Sequence, residues 1–428
     1  MSTAATPQET PPPENIGDAP SALALLRVFR HRNYRLFFSG QLVSLMGTWI
    51  TAVAQGWLVY SMTNSPFLLG VTSFAGQVPV FFFATFGGMI SDRMDRRKML
   101  MLTQGLAMCQ AAALAILTLT GLIQVWHIIA LALFKGVVNA FDVPTRQAFT
   151  IEMVGREDLR NAISLNSMMF NLARIIGPTI AGLLVATVGE GLCFAVDAFS
   201  YGAVLISLFM MQFAARPPRI VERPWQEFKA GFAYVWRVRE IRVALMLIAV
   251  CSSFGASYIP LLPAFARDVL HEGSQGLGLL YGAIGCGALG GAYMLARVRD
   301  KYLSLTPILA AAMFGLSLIA FSHSQWLPLS LVLLLPTAFS LMLLGGSTNT
   351  IIQIASSDDM RGRVVSFYTM FFLGMMPWGS LLLGWIASKA GVPEAVMIGG
   401  SVCVLAALTA YTAWPGRRDL RRLRRRAR

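Results

Sequence analysis

The chain has 428 residues, 56% hydrophobic and 13% charged, with 35 Lys and Arg against 21 Asp and Glu. Ordinary soluble domains carry about 25% charged residues, so the composition excludes a soluble enzyme and leaves no room for a large soluble domain. Apolar runs of about 20 residues, each enough for a helix to cross a ~30 Å hydrocarbon core, recur along nearly the whole length.

The first segment, residues 1–33, is polar and proline-rich, then basic, with no apolar h-region. It reads as a disordered cytoplasmic tail and not as a signal peptide. Twelve spans follow, at about 34–60, 66–91, 98–120, 125–149, 162–188, 191–214, 241–266, 274–296, 303–321, 327–355, 364–388 and 393–414. The segments on the terminal side of these spans hold 31 of the 35 Lys and Arg. The positive-inside rule therefore places both termini in the cytoplasm, and a bacterial-type inner (plasma) membrane is the expected location. Location also answers the basic balance, which on its own would suggest a nucleic-acid partner: the basic tail 415–428, "GRRDLRRLRRRAR" at its end, abuts the last span and suits anionic headgroups.

In span 1, Gln41, Ser44, Thr48, Thr51 and Gln55 fall at i, i+3, i+7, i+10 and i+14, one continuous polar stripe on a helix. Lys135, Asn139, Asp142 and Arg146 repeat the pattern in span 4, and Ser164, Ser167, Asn171 and Arg174 in span 5. A charge in mid-membrane costs about 2.5–3.5 kcal/mol on insertion scales, so three such stripes imply a wet central pathway. Asp142 and Arg146 have two readings, a neutralising i,i+4 pair or coupling groups. Arg174 and Asp197, at similar depth, likewise have two readings, an ion pair or substrate or coupling groups. Lys135 has no evident partner at its level and is the leading candidate to meet substrate. The interior surplus of cations hints at an anionic or oxygen-rich substrate.

The loop 215–240 separates six spans from six, and Trp225, Phe228, Phe232 and Val235 give it the stripe of an amphipathic helix on the membrane surface. "EDLRNAISLNSMMFNL" (157–172) and "DDMRGRVVSFYTMFFL" (358–373) share opening and closing residues across this divide. The expected fold is all-α: twelve transmembrane helices in two six-helix pseudo-repeat halves, 34–214 and 241–414. The second half offers few polar groups within its spans, among them Ser252, Ser257, Tyr281, Asn349 and Gln353. The five cysteines lack C-x-x-C spacing and the four histidines do not cluster, so neither a metal nor a cofactor is expected.

Between spans 2 and 3 stands Gly88-x-x-x-Asp92-Arg93-x-x-Arg96-Arg97. Glycines here let helices approach, and an aspartate can meet a helix N-terminus, so the turn has the chemistry of a latch. This motif resembles the loop signature of the major facilitator superfamily, with Asp95 in place of the signature's glycine. The resemblance implies that Asp92 engages Arg146 and the start of span 11 near Arg361. "ARIIGPTIAGLL" (173–184), with Gly177, Pro178 and Gly182, is similar to the superfamily's antiporter motif. Residues 141–178 resemble the exporter subgroup that includes the bacterial enterobactin exporter.

By that resemblance the chain is a secondary-active, proton-coupled exporter of a siderophore or similar amphiphile, working by alternating access. Its expected partners are a small-molecule substrate, protons and the bilayer, with no nucleic acid, and it is expected to be a monomer. A multidrug efflux pump or an importer of the same fold are the alternatives. An intramembrane enzyme would need a nucleophile–base set or a metal cluster, which the sequence does not offer.

Overall fold

The computed structural model describes residues 27–155, 157–211 and 224–414. Residues 1–26 of the expected tail 1–33, the tail 415–428 and the first part of the central loop lie outside the described residues. The end of the first tail is ordered, as a 3₁₀ turn over Arg27–Arg30 leading into the helix that starts at Arg32. A helix stands at each of the twelve expected spans, with residues 212–214 of span 6 outside the described residues. Spans 1 to 6 are the helices Arg32–Thr63, Pro66–Arg93, Arg96–Leu119, Val125–Val154, Leu159–Val188 and Glu190–Met210. Span 7 runs over Arg239–Val269, and span 8 is Ser274–Arg297. Span 9 is the 17-residue helix Thr306–Ser322, span 10 Leu327–Ala355, span 11 the pair Asp358–Gly374 and Met376–Ala390, and span 12 Val392–Ala413. Eleven of these are long and apolar enough to cross a membrane, and span 9 is a shorter apolar helix beside them. The chain is a multi-pass membrane protein.

Local chemistry explains the boundaries. Ser65 caps span 2 and Pro66 occupies its first turn, where a missing N–H costs nothing. Asp95 caps span 3, its carboxylate accepting from the N–H groups of Arg97 at 2.9 Å and Lys98 at 3.2 Å. The residue that departs from the loop signature thus starts the next helix. Gln124 and His127 form a reciprocal capping box on span 4. Gly189 between spans 5 and 6 and Gly391 between spans 11 and 12 turn the chain at φ of 82° and 108°, a region that side chains disfavour.

Two spans are interrupted. Span 7 passes from α-helix through a π-helical turn (Cys251–Gly255) and a 3₁₀ turn (Ala256–Leu261) to a second π-helical turn (Phe265–Val269). Pro260 and Pro263 cannot supply the N–H groups that a regular ladder would need. Span 11 breaks at Met375, just before Pro377. Serines of span 7 satisfy the carbonyls at that break: Ser252 donates to Phe372 O and Ser257 to Met376 O at 3.1 Å. The two spans touch there so closely that a Cβ on Gly379 would overlap the Ser253 carbonyl.

The amphipathic helix after the central loop is Pro224–Arg237. Val235 is buried, while Phe232 and Trp236 stack on each other at 5.4 Å and stay exposed. Tyr234 accepts the Ser357 N–H at 3.1 Å, which ties this helix to the start of span 11.

Candidate functional site

The two halves meet in the part of the bundle away from the termini. Span 2 packs on span 11 and span 5 on span 8, each through paired glycines. A Cβ on Gly182 would lie 2.8 Å from Gly278 Cα, and one on Gly384 would lie 3.2 Å from Gly70 Cα. Phe74 and Trp378 add an edge-to-face contact at 5.1 Å. At the far ends of spans 1 and 7 the Tyr60 hydroxyl donates to Asp268, with the Arg267 guanidinium 6.0 Å from the Tyr60 ring. Together these contacts form a seal. Gly182 of the antiporter-like motif belongs to it. Gly177 packs against Trp49 of span 1, and Pro178 lends its carbonyl to the approach of Gly278.

Beside the seal, between the halves, lies a cavity of about 320 Å³. Its two walls differ in chemistry. The first half supplies the polar groups Thr48, Gln55, Gln77, Gln110, Lys135, Asn139, Asp197 and Tyr201, interspersed with apolar Trp49, Ala52, Val59, Leu69 and Ala132. The second half supplies Ile259, Pro260, Pro263, Tyr281 and Met376, apolar except for one phenol.

Span 6 reaches this cavity because span 1 is thin where they cross. At Gly47 a Cβ would come within 2.7 Å of Asp197 Oδ1, and at Gly40 within 2.6 Å of Ser207 Oγ. The close approach carries Asp197 and Tyr201, one turn apart on span 6, to the cavity wall. Asp197 is buried and receives the Ser200 hydroxyl at 3.3 Å. Lys135 donates to the Tyr201 hydroxyl, and its ammonium lies 4.3 Å from the centre of that ring. Tyr201 in turn meets Thr48 Oγ1 at 3.3 Å.

Of the residues expected from sequence, Thr48, Gln55, Lys135, Asn139 and Asp197 come together here. Gln41 is buried outside the lining. Asn171 donates to its own helix at Ser167 O (2.8 Å), and Asn349 accepts from Gln353 (3.1 Å) on span 10. Asp142 is 2% exposed and fully engaged, accepting from Thr103 Oγ1 at 2.8 Å, Gln104 Nε2 at 2.7 Å and the Arg146 guanidinium. Of its two readings, the neutralised pair is the one the geometry matches.

Two expectations need correction. Arg174 and Asp197 do not pair: among the described residues Arg174 makes no hydrogen bond or ion pair, and its Nε is buried without a partner. Span 1 packs against both helices and stands between them, with Trp49 on the span 5 side and Gly47 on the span 6 side. Lys135 does have a partner at its level, Tyr201.

The latch residues divide. Gly88, Asp92 and Arg93 lie in the span 2 helix, but their side chains are outside the described residues. Arg96 pairs with Glu152 at 2.6 Å, joining spans 3 and 4. Arg97 donates to Leu208 O at 2.7 Å and Phe209 O at 2.8 Å, a cation on the C-terminal carbonyls of span 6. Arg361 Nε donates to Gln353 O at 3.3 Å.

Sequence reasoning missed Tyr201, Gln77, Gln110 and, as a cavity residue, Tyr281. Tyr201 carried a signal, since it stands four residues after an intramembrane aspartate. Gln77 and Gln110 are amides within apolar spans, and such groups must face a cavity or a partner. Outside the bundle, Asp158 follows the first-half loop and is held by the segment before span 1. His31 Nε2 lies at 2.9 Å and Arg30 at 3.0 Å from its Oδ2. The His31 hydrogen bond, then the charges of Arg30 and Arg27, hold its carboxyl below the usual range against the opposing effect of burial.

Comparison with known proteins follows the same lines. The profile of a family described as "Transmembrane secretion effector" matches residues 22–417. The chain is 27% identical over 379 residues to the staphyloferrin A transporter of Staphylococcus aureus, covering 86% of this chain and 94% of that one. It is 28% identical over 361 residues to the multidrug efflux pump Tap of Mycolicibacterium fortuitum (81% and 87% covered). It is 25% identical over 380 residues to the enterobactin exporter EntS of Shigella flexneri (86% and 87% covered). Among solved structures, the nucleoside transporter NupG superposes with a TM-score of 0.68 at 11% identity, over 92% of this chain and all of that one. The xylose transporter XylE of E. coli, in its inward-open conformation, superposes with a TM-score of 0.66 at 14% identity (91% and 96% covered).

Proposed function

From the premise that this chain belongs to the transmembrane secretion effector family of the major facilitator superfamily, we propose that it expels a siderophore or a similar amphiphilic small molecule across the inner membrane. It is a membrane transporter and not an enzyme. One observation carries the reading: the cavity between the halves is itself amphipathic, its amides and its two charges all on the first-half wall, among apolar side chains, and its second-half wall apolar but for the Tyr281 phenol. A molecule with a polar face and an apolar body matches both walls, while a sugar-like or purely apolar molecule matches only one.

On this reading both termini are cytoplasmic, the seal is the outer gate, and the protein works as a monomer by rocking of the two halves. Opening outward separates Gly182 from Gly278 and Gly70 from Gly384. The latch around Asp92, with Arg146 and Arg361, closes the inner side in that state. Asp197 is the coupling carboxylate of choice, because it is the buried acid that lines the cavity; Asp142 is already committed to Thr103, Gln104 and Arg146.

The test compares metabolites of cells and medium by mass spectrometry, with and without the gene, under iron limitation and repletion. Export predicts a compound that accumulates in deleted cells and is lost from their medium, with accumulation reproduced in the intact strain by a protonophore. Iron dependence of that compound supports a siderophore. A compound left behind in the medium of deleted cells would instead establish uptake and overturn the proposal. The same amphipathic lining favours a second reading, efflux of foreign amphiphiles. That reading predicts altered drug susceptibility and no endogenous compound retained.

A further inference from the structure

The cavity holds two charged side chains in unequal positions. The Asp197 carboxylate is shielded, 2% exposed, tucked against Gly47 and bonded by Ser200. Lys135 stands half-buried at the wall, with no carboxylate within ion-pair distance among the described residues. The charge open to a ligand is therefore the cation.

The direction of the hydrogen bonds around it can be derived. An ammonium only donates, so Tyr201 Oη accepts from Lys135. The phenol's own hydrogen then goes to Thr48 Oγ1, since the Thr48 hydroxyl donates to Ser44 O at 3.0 Å. Each link polarises the next. The relay anchors one ammonium hydrogen, with the charge 4.3 Å from the centre of the Tyr201 ring. Two ammonium hydrogens remain. The Asp197 carboxylate acts on the same charge from beyond ion-pair distance, and an anion bonded directly to the ammonium would supply the close partner that it lacks.

We propose that Lys135 is the docking point for an oxyanion of the substrate, and that Tyr201 is the positioning residue that aims its ammonium into the cavity. This deepens the export reading and rests on it. The ligand class follows from the walls: an amphiphile with a carboxylate or ionised phenol at its polar end. Further oxygens on that end meet the amides of Gln55, Gln77 and Asn139, and the apolar body lies on Ile259, Pro263 and Met376.

The experiment uses the full-length protein in lipid nanodiscs and three probes with one ring system: naphthalene-2-carboxylate, naphthalene-2-carboxamide and 2-naphthylmethylammonium. Calorimetric titration should show the carboxylate binding roughly tenfold tighter than the carboxamide, as a charge-assisted hydrogen bond would give, with the cation weakest. Lys135→Arg should keep that ratio. Lys135→Met should bring the carboxylate to the level of the carboxamide, whose unchanged affinity shows that the variant is folded. Tyr201→Phe retains the ring and should narrow the ratio several-fold, again without moving the carboxamide. Equal binding of carboxylate and carboxamide by the wild type, a ratio that survives Lys135→Met, or no binding of any probe would overturn the proposal. Flux in proteoliposomes separates it from the export reading. Carboxylate preference with movement only towards the terminal side would keep the oxyanion site and overturn export. Outward movement of the carboxamide with no carboxylate preference would do the reverse.

Discussion

Placing a methyl group on Gly182 tests whether the seal is one state of a moving protein. In the structure that Cβ would lie 2.5 Å from Ser274 O, 2.8 Å from Gly278 Cα and 3.1 Å from Gly278 N, all backbone atoms that cannot rotate away. Ordinary contacts of this kind need roughly 3.5 Å or more, so spans 5 and 8 must part by about 1 Å. Overpacking of this size costs about 1–3 kcal/mol. Because the overlap exists only where these spans touch, the cost falls on the sealed state alone and shifts the equilibrium towards separation by about 5- to 150-fold. Spin labels at the exposed positions Thr187 and Gln275, read by pulsed electron resonance, report the separation directly. Gly182→Ala should add or enlarge a longer-distance population. Gly105→Ala, where a Cβ meets nothing within 4 Å, should leave the distribution unchanged. An unaltered distribution in Gly182→Ala, with the protein well folded, would refute the assignment of this contact to a single conformational state.

Two further expectations come from charges outside the cavity. Asp142→Asn removes the counter-charge of Arg146 within a buried network and should lower stability by roughly 3 kcal/mol. Thermal unfolding in detergent measures this, and an unchanged Tm would mean the network is not structural. At Asp158 the folded carboxyl is held below its unfolded value of about 3.9. Its contribution is therefore complete above that value and is lost as the pH falls through the lower, folded one. The stability gap between wild type and Asp158→Asn should be full at pH 7 and close on acidification below about pH 4; a gap that widened there would contradict the ion-pair account.

The twelve spans were legible because each is a hydrocarbon-length apolar run, and the physics that selects such a run acts locally. Helix ends could be read for the same reason: Ser65, Pro66 and Gly189 act on their own neighbours. Thr48 and Gln55 of the span 1 stripe line the cavity, since a polar side chain on an apolar helix has few places to face. Pairing across helices was not legible in this way. Arg174 and Asp197 sit at matching depths, yet span 1 stands between them. Depth follows from sequence position, whereas azimuth depends on where a neighbouring helix is thin. Gly47 is the residue that decides it, and its meaning appears only once Asp197 is seen against it. Likewise Lys135 finds Tyr201 at a separation of 66 residues, which no helical period can reveal.

The halves differ in more than the chemistry of their cavity walls. The first contributes both charges and three cavity-lining glutamines on spans whose ladders run through, apart from internal prolines at Pro79, Pro144 and Pro178. The second contributes an apolar wall carried by interrupted helices: Ile259, Pro260 and Pro263 lie in or next to the 3₁₀ stretch of span 7, and Met376 lies at the break of span 11. Non-α turns change the register of side chains with little loss of backbone bonding, and here serines of span 7 hold the carbonyls that the span 11 break exposes. The breaks in the apolar wall thus keep their carbonyls bonded, and the Tyr281 hydroxyl donates to Ile259 O at 3.4 Å beside them. The polar wall, tied by Lys135–Tyr201–Thr48, keeps its geometry. On the export reading, recognition of the polar end belongs to the first half, and contact with the apolar body falls largely to the second.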